Sequence, residues 1–333
     1  MSEAAPIPQA LTKLQLAVKE TNSLACIGLD TKPGRLPQSL TRDRSPLISM
    51  LNFNRAIIKN TSDLVCAYKP NSAFYEAEGA DGWDALEMTM NLISEETRAL
   101  KILDAKRGDV KESSKAYAEA AFDRFGADAI TVNGFSGSSM LTNGERVLGA
   151  LEPFLDQKDK LTFVWDKSSN DDGGEWQDLA VPIVRQTKSW KRKFGSIDEL
   201  ADLVEETGVR DELRKAGYHD EDVPLSLLMA YKMSRDWNPN NNLGLVLGAT
   251  HPREVGWVRK VVGDMTILVP GIGAQEGELA GTLRLGLNSK KEGVIISASR
   301  SIIFASNEED FAQAARNATI ALRDSINQYR QAA

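Results

Sequence analysis

The chain has 333 residues, of which 42% are hydrophobic and 26% are charged, a composition typical of a globular protein. Its 40 basic and 47 acidic residues give a net charge of −7, which argues against a general binder of nucleic acid or of anionic membranes, because such binding depends on neutralising phosphates. No stretch approaches the about 18 consecutive apolar residues of a membrane span, and the first residues lack the pattern of a secretory signal. We therefore expect a cytoplasmic protein without nucleic-acid or membrane partners.

The few cysteines and histidines restrict the chemistry that the chain can perform. Cys26 and Cys66 lie in apolar runs without a C-x-x-C partner, so we interpret them as packing residues rather than as disulfide or zinc ligands. His219 and His251 are too few for a multi-histidine metal site. The chemistry of this chain must therefore depend on Lys, Asp, Glu or Arg.

Short apolar runs recur along the whole chain, at 24–30, 64–70, 100–106, 127–133, 161–167, 243–250, 266–271 and 293–299. Each is nearly continuous, as expected for a strand that is buried on both faces of a parallel sheet. The amphipathic stretches between them predict helices over 45–61, 83–98, 137–150, 253–262, 277–288 and 307–329. This alternation predicts an α/β protein, a single (β/α)8 TIM barrel domain over 1–333, with a doubly wound open sheet as the alternative.

The interval between the fifth and sixth runs is much longer than the others. We predict that it contains a helical insertion over 186–222, packed on the outside of the barrel. Ser196 and Glu199 fit a capping box, and Gly208 fits the end of the same helix. We interpret the basic run at 188–193 as a solvated helix face rather than a binding patch.

Charged residues concentrate where the predicted strands end, which is where (β/α)8 barrels carry their functional residues. Asp30 follows the first run and Lys69 ends the second. The third run leads into Asp104, Lys106 and Asp109. Asp104 and Lys106 are two positions apart, so in a regular strand both side chains point into the barrel mouth. Alternating charges keep each other ionised there, whereas a purely structural lattice of buried ion pairs adds little stability, so a catalytic cluster is the better prediction.

A second cluster follows the seventh and eighth runs, where many barrels bind phosphate. Gly271 and Gly273 allow the backbone to approach an anion closely. Gln275 can donate its amide, and Arg300 can donate a bidentate pair of hydrogen bonds. Together with Pro270, these residues predict a site for a phosphate monoester.

Further polar candidates lie at other strand ends. Thr131 and Asn133 follow the fourth run, and 167–170 (Lys-Ser-Ser-Asn) follow the fifth. These groups suit recognition of the edge of a heterocycle, and on composition a turn-forming role fits equally well. Ser113 is the predicted N-cap of a helix that ends at Gly126, and we also include it among the candidate substrate contacts.

These motifs resemble those of the orotidine 5′-phosphate decarboxylase family. ILDAKRGDV matches the family's D-x-K-x-x-D motif. Four further segments of this chain resemble the family's other strand-end signatures: GLD (28–30), YKP (68–70), PGIGAQ (270–275) and ASRSI (298–302). The motifs occur in the family's order from about residue 20 to 330, with 186–222 as an apparent insertion. Within the family, the chain is most similar to the longer subgroup, which carries S-N after the fifth strand and GLVxGAT before the seventh.

The resemblance implies a catalytic chain of alternating lysines and aspartates. Its members here are Lys69, Asp104, Lys106 and Asp109, the last reaching into the partner's site of a homodimer with shared active sites. By the same resemblance Lys106 protonates C6 of the pyrimidine, and the enzyme needs no metal or organic cofactor.

The resemblance also implies the substrate and its contacts. The substrate is orotidine 5′-monophosphate, converted to uridine 5′-monophosphate and CO2 in de novo pyrimidine biosynthesis. Asp30 and Lys69 bind the ribose hydroxyls, Ser169 meets the pyrimidine edge, and Gln275 and Arg300 hold the 5′-phosphate. The chain departs from the family pattern in its insertion near Ser169 and in lacking a clear tyrosine after Gln275.

Three alternative functions are weighed against this one. A related Mg²⁺-dependent barrel, such as a keto-gulonate-phosphate decarboxylase or hexulose-phosphate synthase, needs acidic metal ligands and a histidine where this chain has Asn133. A Schiff-base aldolase needs a neutral lysine, whereas the carboxylates near Lys106 keep it protonated. A non-catalytic nucleotide-phosphate sensor has no need for the intact charged cluster.

Overall fold

Eight parallel strands form a closed barrel at the centre of the molecule. The computed structural model describes residues 7–137, 140–142, 145–147, 149–183, 197–271 and 276–332. The barrel strands are β1 (Ala25–Gly28), β2 (Ala67–Lys69), β3 (Leu100–Arg107), β4 (Ala129–Asn133), β5 (Leu161–Lys167), β6 (Leu243–Leu247), β7 (Ile267–Pro270) and β8 (Val294–Ala298). Each pairs with its sequence neighbours, and β8 closes on β1. All eight predicted strands and the TIM barrel are confirmed.

The strands are apolar on both faces because one face packs inside the barrel and the other packs under the helices. Ala25, Cys26 and Ile27 of β1 are all fully buried. Cys66, just before β2, is buried as well, and both cysteines are free thiols. Burial raises the pKa of the Cys26 thiol to about 12, as expected for the packing role that the sequence predicts.

Helices cover the outside of the barrel. The longer ones are Gln9–Thr21, Pro46–Thr61, Gly79–Glu96, Lys111–Glu119, Ile197–Glu206, Leu225–Arg235, Pro252–Val262, Glu276–Gly286 and Phe311–Ala332. Shorter helical turns are Pro33–Arg35, Gln38–Thr41, Ser72–Glu76, Ala120–Arg124, Glu152–Leu155, Asp171–Gly173, Gly174–Gln177, Val209–Lys215 and Arg300–Ile303. Among these described helices, none combines the length and apolar character needed to cross a bilayer.

The predicted helix over 137–150 is wrong. The described part of this segment forms two antiparallel strands, Met140–Thr142 and Glu145–Val147. In the sequence, Asn143 and Gly144 separate the two strands, and this dipeptide strongly favours tight hairpins over helices. The other helices predicted from amphipathic stretches are confirmed, with ends that differ by a few residues.

The predicted N-cap at Ser113 is also wrong. The helix Lys111–Glu119 begins earlier, and Ser113 lies within it. The neighbouring Ser114 makes the local hydrogen bonds instead: its hydroxyl donates to the Asp109 carbonyl at 2.7 Å and accepts from the Asp109 N–H at 3.0 Å. Gly126 has a positive φ of 58°, in agreement with its predicted place at the end of this helical segment.

The described part of the insertion after β5 is helical, in agreement with the prediction. Its described helices, Ile197–Glu206 and Val209–Lys215, are separated at Gly208, which has a left-handed φ of 71°. An unpredicted antiparallel pair of strands, Ala180–Pro182 and Asp222–Pro224, joins the two ends of the insertion. Ser196 and the basic run at 188–193 lie outside the described residues.

Arg259 forms hydrogen bonds with both of the loops that precede β7 and β8. Its side chain is 8% exposed and donates to the carbonyls of Met265 and Gly286 at 2.7 Å and of Gly293 at 2.6 Å, as well as to that of Gly263. Burial lowers the pKa of the guanidinium to about 10. Arg259 therefore supplies a donor to four carbonyls, of which that of Gly293 also accepts from the Ile267 N–H at 2.9 Å.

We predict that Arg259→Met lowers the free energy of unfolding by about 3 kcal/mol, because the four hydrogen bonds of this buried guanidinium are lost. Urea denaturation measures the effect. Arg253→Met is the matched control, since Arg253 is exposed on the same helix. Equal losses in the two variants would contradict this role for Arg259.

Candidate active site

The carboxyl ends of the barrel strands surround a cavity of about 710 Å³. It is lined by most of the site residues that the sequence predicts: Asp30, Lys69, Asp104, Lys106, Ser169, Pro270 and Arg300. The cavity therefore brings together the two clusters that are far apart in the sequence, the charges after β1 to β3 and the residues after β7 and β8.

Asp104 lies at the centre of the charged cluster. One carboxylate oxygen accepts from the Lys69 ammonium at 2.6 Å, and the other accepts from the Lys106 ammonium at 2.7 Å. The Thr131 hydroxyl, on β4, also donates to Asp104 at 2.8 Å. The side chains of Lys69 and Asp104 are only 4% and 8% exposed, whereas that of Lys106 is 43% exposed. Lys106 is thus the member of the cluster that is open to a ligand.

Attraction between opposite charges offsets the cost of burying the charged forms of Asp104 and Lys69. Burial by itself raises the pKa of Asp104, but the ammonium groups of Lys69 and Lys106 outweigh it and hold that pKa well below its usual value. Burial likewise opposes the charged form of Lys69, and the carboxylates of Asp104 and Asp30 raise its pKa above the usual value. Asp104 is therefore an ionised carboxylate and Lys69 an ammonium at neutral pH.

Lys106 has an unusual backbone conformation. Its φ is +46°, in the left-handed region that non-glycine residues rarely occupy. The register between β3 and β4 shifts between Leu103 and Arg107, so the strand is irregular here and simple alternation does not describe it. The Lys106 N–H donates to the Thr131 hydroxyl at 3.1 Å. Thr131 therefore holds both the backbone of Lys106 and the carboxylate of Asp104.

Asp30 lines the cavity, and one of its carboxylate oxygens lacks a hydrogen-bond partner among the described residues. Its Oδ1 is buried and has no hydrogen-bond partner within the described part of the chain. Its two neighbours are fixed by a buried network: Tyr75 donates to the Leu29 carbonyl at 3.0 Å, and Thr31 donates to Asn54 at 2.6 Å. Asn54 in turn donates to the Tyr75 hydroxyl at 2.9 Å. These hydrogen bonds fix the backbone on either side of Asp30, whereas Oδ1 of its carboxylate remains without a partner among the described residues.

The ends of β7 and β8 form the opposite part of the cavity. Pro270 pairs with Ser297 of β8, and Arg300 begins the short helix Arg300–Ile303. Gly271 has a φ of +92°, which favours glycine, and a Cβ at this position would lie 3.8 Å from the Ser169 hydroxyl oxygen. Ser169 and Gly271 are thus close neighbours at the cavity wall.

Two of the remaining predicted residues, Asp109 and Ser113, are not in the cavity. Asp109 is exposed, and its carboxylate accepts from the N–H of Val110 at 2.7 Å. It does not line the cavity within this chain, and neither does Ser113, which is exposed on the following helix. Gly273 and Gln275 lie outside the described residues. The structure therefore assembles Lys69, Asp104 and Lys106 and leaves Asp109 apart from them.

Lys167 and Ser168, which the sequence places among the polar candidates after the fifth run, line the cavity and make contacts that the sequence does not predict. Lys167 at the end of β5 is almost fully buried and forms an ion pair with Asp178. Next to it, the Ser168 N–H donates to the Gln177 side chain at 3.0 Å. The position of Lys167 at a strand end is a usable sequence signal, but nothing in the local pattern indicates its pairing with Asp178. Arg35, in the loop after β1, also lines the cavity.

We predict that Asp104→Asn lowers the free energy of unfolding by about 3 to 5 kcal/mol near pH 7, because Lys69 is left buried without its counter-ion. The folded-state pKa of Asp104 lies below the ordinary value of 3.8, so this stabilisation is complete above that value and is lost as the pH falls below it. The difference from wild type is therefore constant above about pH 5 and shrinks below about pH 4.

Urea denaturation at several pH values tests this expectation. Asp63→Asn is the control, since Asp63 pairs with Arg316 at 2.7 Å but is 59% exposed. We expect the control to cost no more than about 1 kcal/mol. A loss in Asp104→Asn that is no greater than in the control would contradict the central role of Asp104.

A (β/α)8 barrel with a buried Lys-Asp-Lys cluster and a cation-lined cavity at the strand ends has the layout of an enzyme that acts on a small anionic substrate. A family model described as "Orotidine 5'-phosphate decarboxylase / HUMPS family" matches residues 26–315. The chain belongs to this family, and the resemblance found in its motifs is confirmed.

Individual relatives agree with the family assignment. The orotidine 5′-phosphate decarboxylase of Ralstonia pickettii is 36% identical over 319 residues, which are 96% of this chain and 98% of the relative. That of Roseiflexus castenholzii is 38% identical over 315 residues, covering 94% and 96%. The solved structure of Leishmania donovani OMP decarboxylase superposes with a TM-score of 0.71 at 28% identity, covering 98% of this chain and 100% of the other.

Proposed function

We propose that this chain decarboxylates orotidine 5′-monophosphate to uridine 5′-monophosphate and CO2, without a cofactor, in de novo pyrimidine biosynthesis. Membership of the family gives the class of reaction. The observation that carries the proposal is the position of the Lys106 ammonium, which is held by Asp104 at 2.7 Å and is partly exposed to the cavity. A cytoplasmic location without nucleic-acid or membrane partners remains a prediction from composition.

The chemistry of this reaction requires electrostatic catalysis. When the bond from C6 to the carboxylate carbon breaks, its electron pair stays on C6 in an sp² orbital that no neighbouring carbonyl can delocalise. The positive charge on Lys106 stabilises this pair, and a proton then moves from Nζ to C6. Lys106 regains a proton from solvent afterwards. Asp104 orients the ammonium throughout, and its own position is fixed by Lys69 and Thr131.

The cavity offers groups for each part of the nucleotide. The free oxygen of Asp30, with Lys69, supports binding of the ribose hydroxyls. In this proposal Ser169 meets the pyrimidine edge and Arg300 binds the 5′-phosphate, and both residues line the cavity. In this proposal Pro270, Gly273 and Gln275 complete the phosphate end. Binding energy from the remote phosphate is then available to orient the reacting centre.

The exposed position of Asp109 supports the proposal of a homodimer with shared active sites. Its side chain is exposed and outside the cavity of its own chain, and the adjacent Val110 is 61% exposed. We propose that Asp109 reaches Lys106 of the partner subunit, and that Ser113 approaches the substrate from the same side. Each active site then consists of Lys69, Asp104 and Lys106 from one chain and Asp109 from the other.

The first experiment follows the loss of orotate absorbance with purified protein in EDTA. We expect turnover in chelator, whereas a Mg²⁺-dependent sugar-phosphate enzyme of the same family would show none.

Lys106→Ala should reduce turnover by at least about a thousandfold while retaining binding of uridine 5′-monophosphate, because it removes the proton donor and not the phosphate site. Near-normal turnover of this variant would exclude Lys106 as the donor.

The second experiment mixes two inactive variants, Asp109→Ala and Lys106→Ala. In a mixed dimer, one of the two sites contains neither substitution, so we expect up to about a quarter of wild-type activity when the chains exchange freely in equal amounts. Mass spectrometry verifies that mixed dimers form. If they form without any recovery of activity, the two residues do not act across a subunit boundary.

A further inference from the structure

The loop after β1 contributes a second guanidinium to the phosphate end of the cavity. Arg35 ends the short turn Pro33–Arg35 and lines the same cavity as Arg300. The two arginines follow β1 and β8, which are paired neighbours in the barrel. Their loops therefore leave the barrel side by side.

Arg35 is positioned by a stack of aromatic rings. Its guanidinium carbon lies 4.1 Å from the centroid of the Phe304 ring, and Phe304 directly follows the helix Arg300–Ile303. The Phe304 ring stacks on Phe53 at 5.8 Å, and Phe53 stacks on Phe311 at 5.1 Å. The buried Phe53 anchors this stack in the core. A guanidinium placed in this way loses less conformational entropy when it binds an anion.

Among the described residues, none neutralises either arginine. In the part of the chain that the structure describes, Arg35 and Arg300 have no hydrogen bond to a carboxylate and no ion pair. The cavity carboxylate of Asp104 is already bound by two lysines. An arginine that rests with its face on a ring keeps its in-plane N–H groups, which match the oxygens of a phosphate.

We propose that Arg35 binds the phosphate monoester of the nucleotide together with Arg300. This inference rests on the proposed function, because it assigns a further residue to the same substrate site. It goes beyond the residues that the motifs indicate, since Arg35 lies in the loop after β1 and outside the segments that follow β7 and β8.

Calorimetric titration with uridine 5′-monophosphate and with uridine tests the inference. We expect Arg35→Ala to weaken binding of the nucleotide by about 10-fold to 100-fold, as for loss of a charge-assisted hydrogen bond, and to leave binding of uridine unchanged. Arg35→Lys should fall between wild type and Arg35→Ala, because it keeps the charge without the bidentate donors.

Lys32→Ala is the matched control. Lys32 lies in the same loop and also packs on an aromatic ring, with its ammonium 4.6 Å from the Phe74 centroid, but it does not line the cavity. Both variants remove one positive charge from this loop, so a general electrostatic effect would appear in both. We expect wild-type affinity for the nucleotide in Lys32→Ala.

The outcomes separate this inference from the proposed function. If wild type turns over orotidine 5′-monophosphate and binds the nucleotide more tightly than uridine, while Arg35→Ala keeps the wild-type preference, the role of Arg35 is wrong and the function stands. Equal weakening of nucleotide and uridine would also overturn it, because Arg35 would then not act on the phosphate. A wild-type protein with neither turnover nor preference for the nucleotide would refute both.

Discussion

The carboxylate of Asp104 between two ammonium groups is the interaction on which the site depends. A buried carboxylate and a buried lysine each cost several kcal/mol unless they are paired and hydrogen-bonded. Here Lys69, Lys106 and Thr131 together satisfy both oxygens of Asp104. Because the barrel sets β2, β3 and β4 side by side, residues from three strands meet at one point, and Lys106 is left as the charge that faces the cavity.

Two residues at the cavity have unfavourable local features, one in its backbone and one in an unpaired side-chain oxygen. Lys106 is held in a left-handed conformation, and a buried oxygen of Asp30 has no partner among the described residues. Such features persist where the surrounding structure over-determines them. At Asp30 the buried hydrogen bonds of Tyr75 and Asn54 fulfil this role, since they fix the residues on either side of it. The groups that we propose for binding and catalysis are thereby held in position by the protein itself.

Sequence reasoning recovers the barrel because each strand is a continuous apolar run, and it recovers the cavity residues because strand ends converge in a parallel barrel. It fails where local composition is ambiguous, as at 137–150, where apolar spacing suggests a helix and Asn143-Gly144 favours a hairpin. It also misses the pairing of Lys167 with Asp178 and the contact of Arg35 with Phe304, because side-chain contacts of this kind produce no periodic pattern in the sequence. The proposed role of Asp109 depends on a second chain.

The ionisation of Asp104 is the most direct test of this account. With ¹³C at the aspartate carboxyl carbons and Asp104→Asn to assign the signal, NMR can follow this carboxylate as the pH falls within the range where the protein stays folded. We expect its chemical shift to remain that of an ionised carboxylate as the pH passes through the ordinary value of 3.8. Protonation at or above that value would show that the two ammonium groups do not hold Asp104 as described.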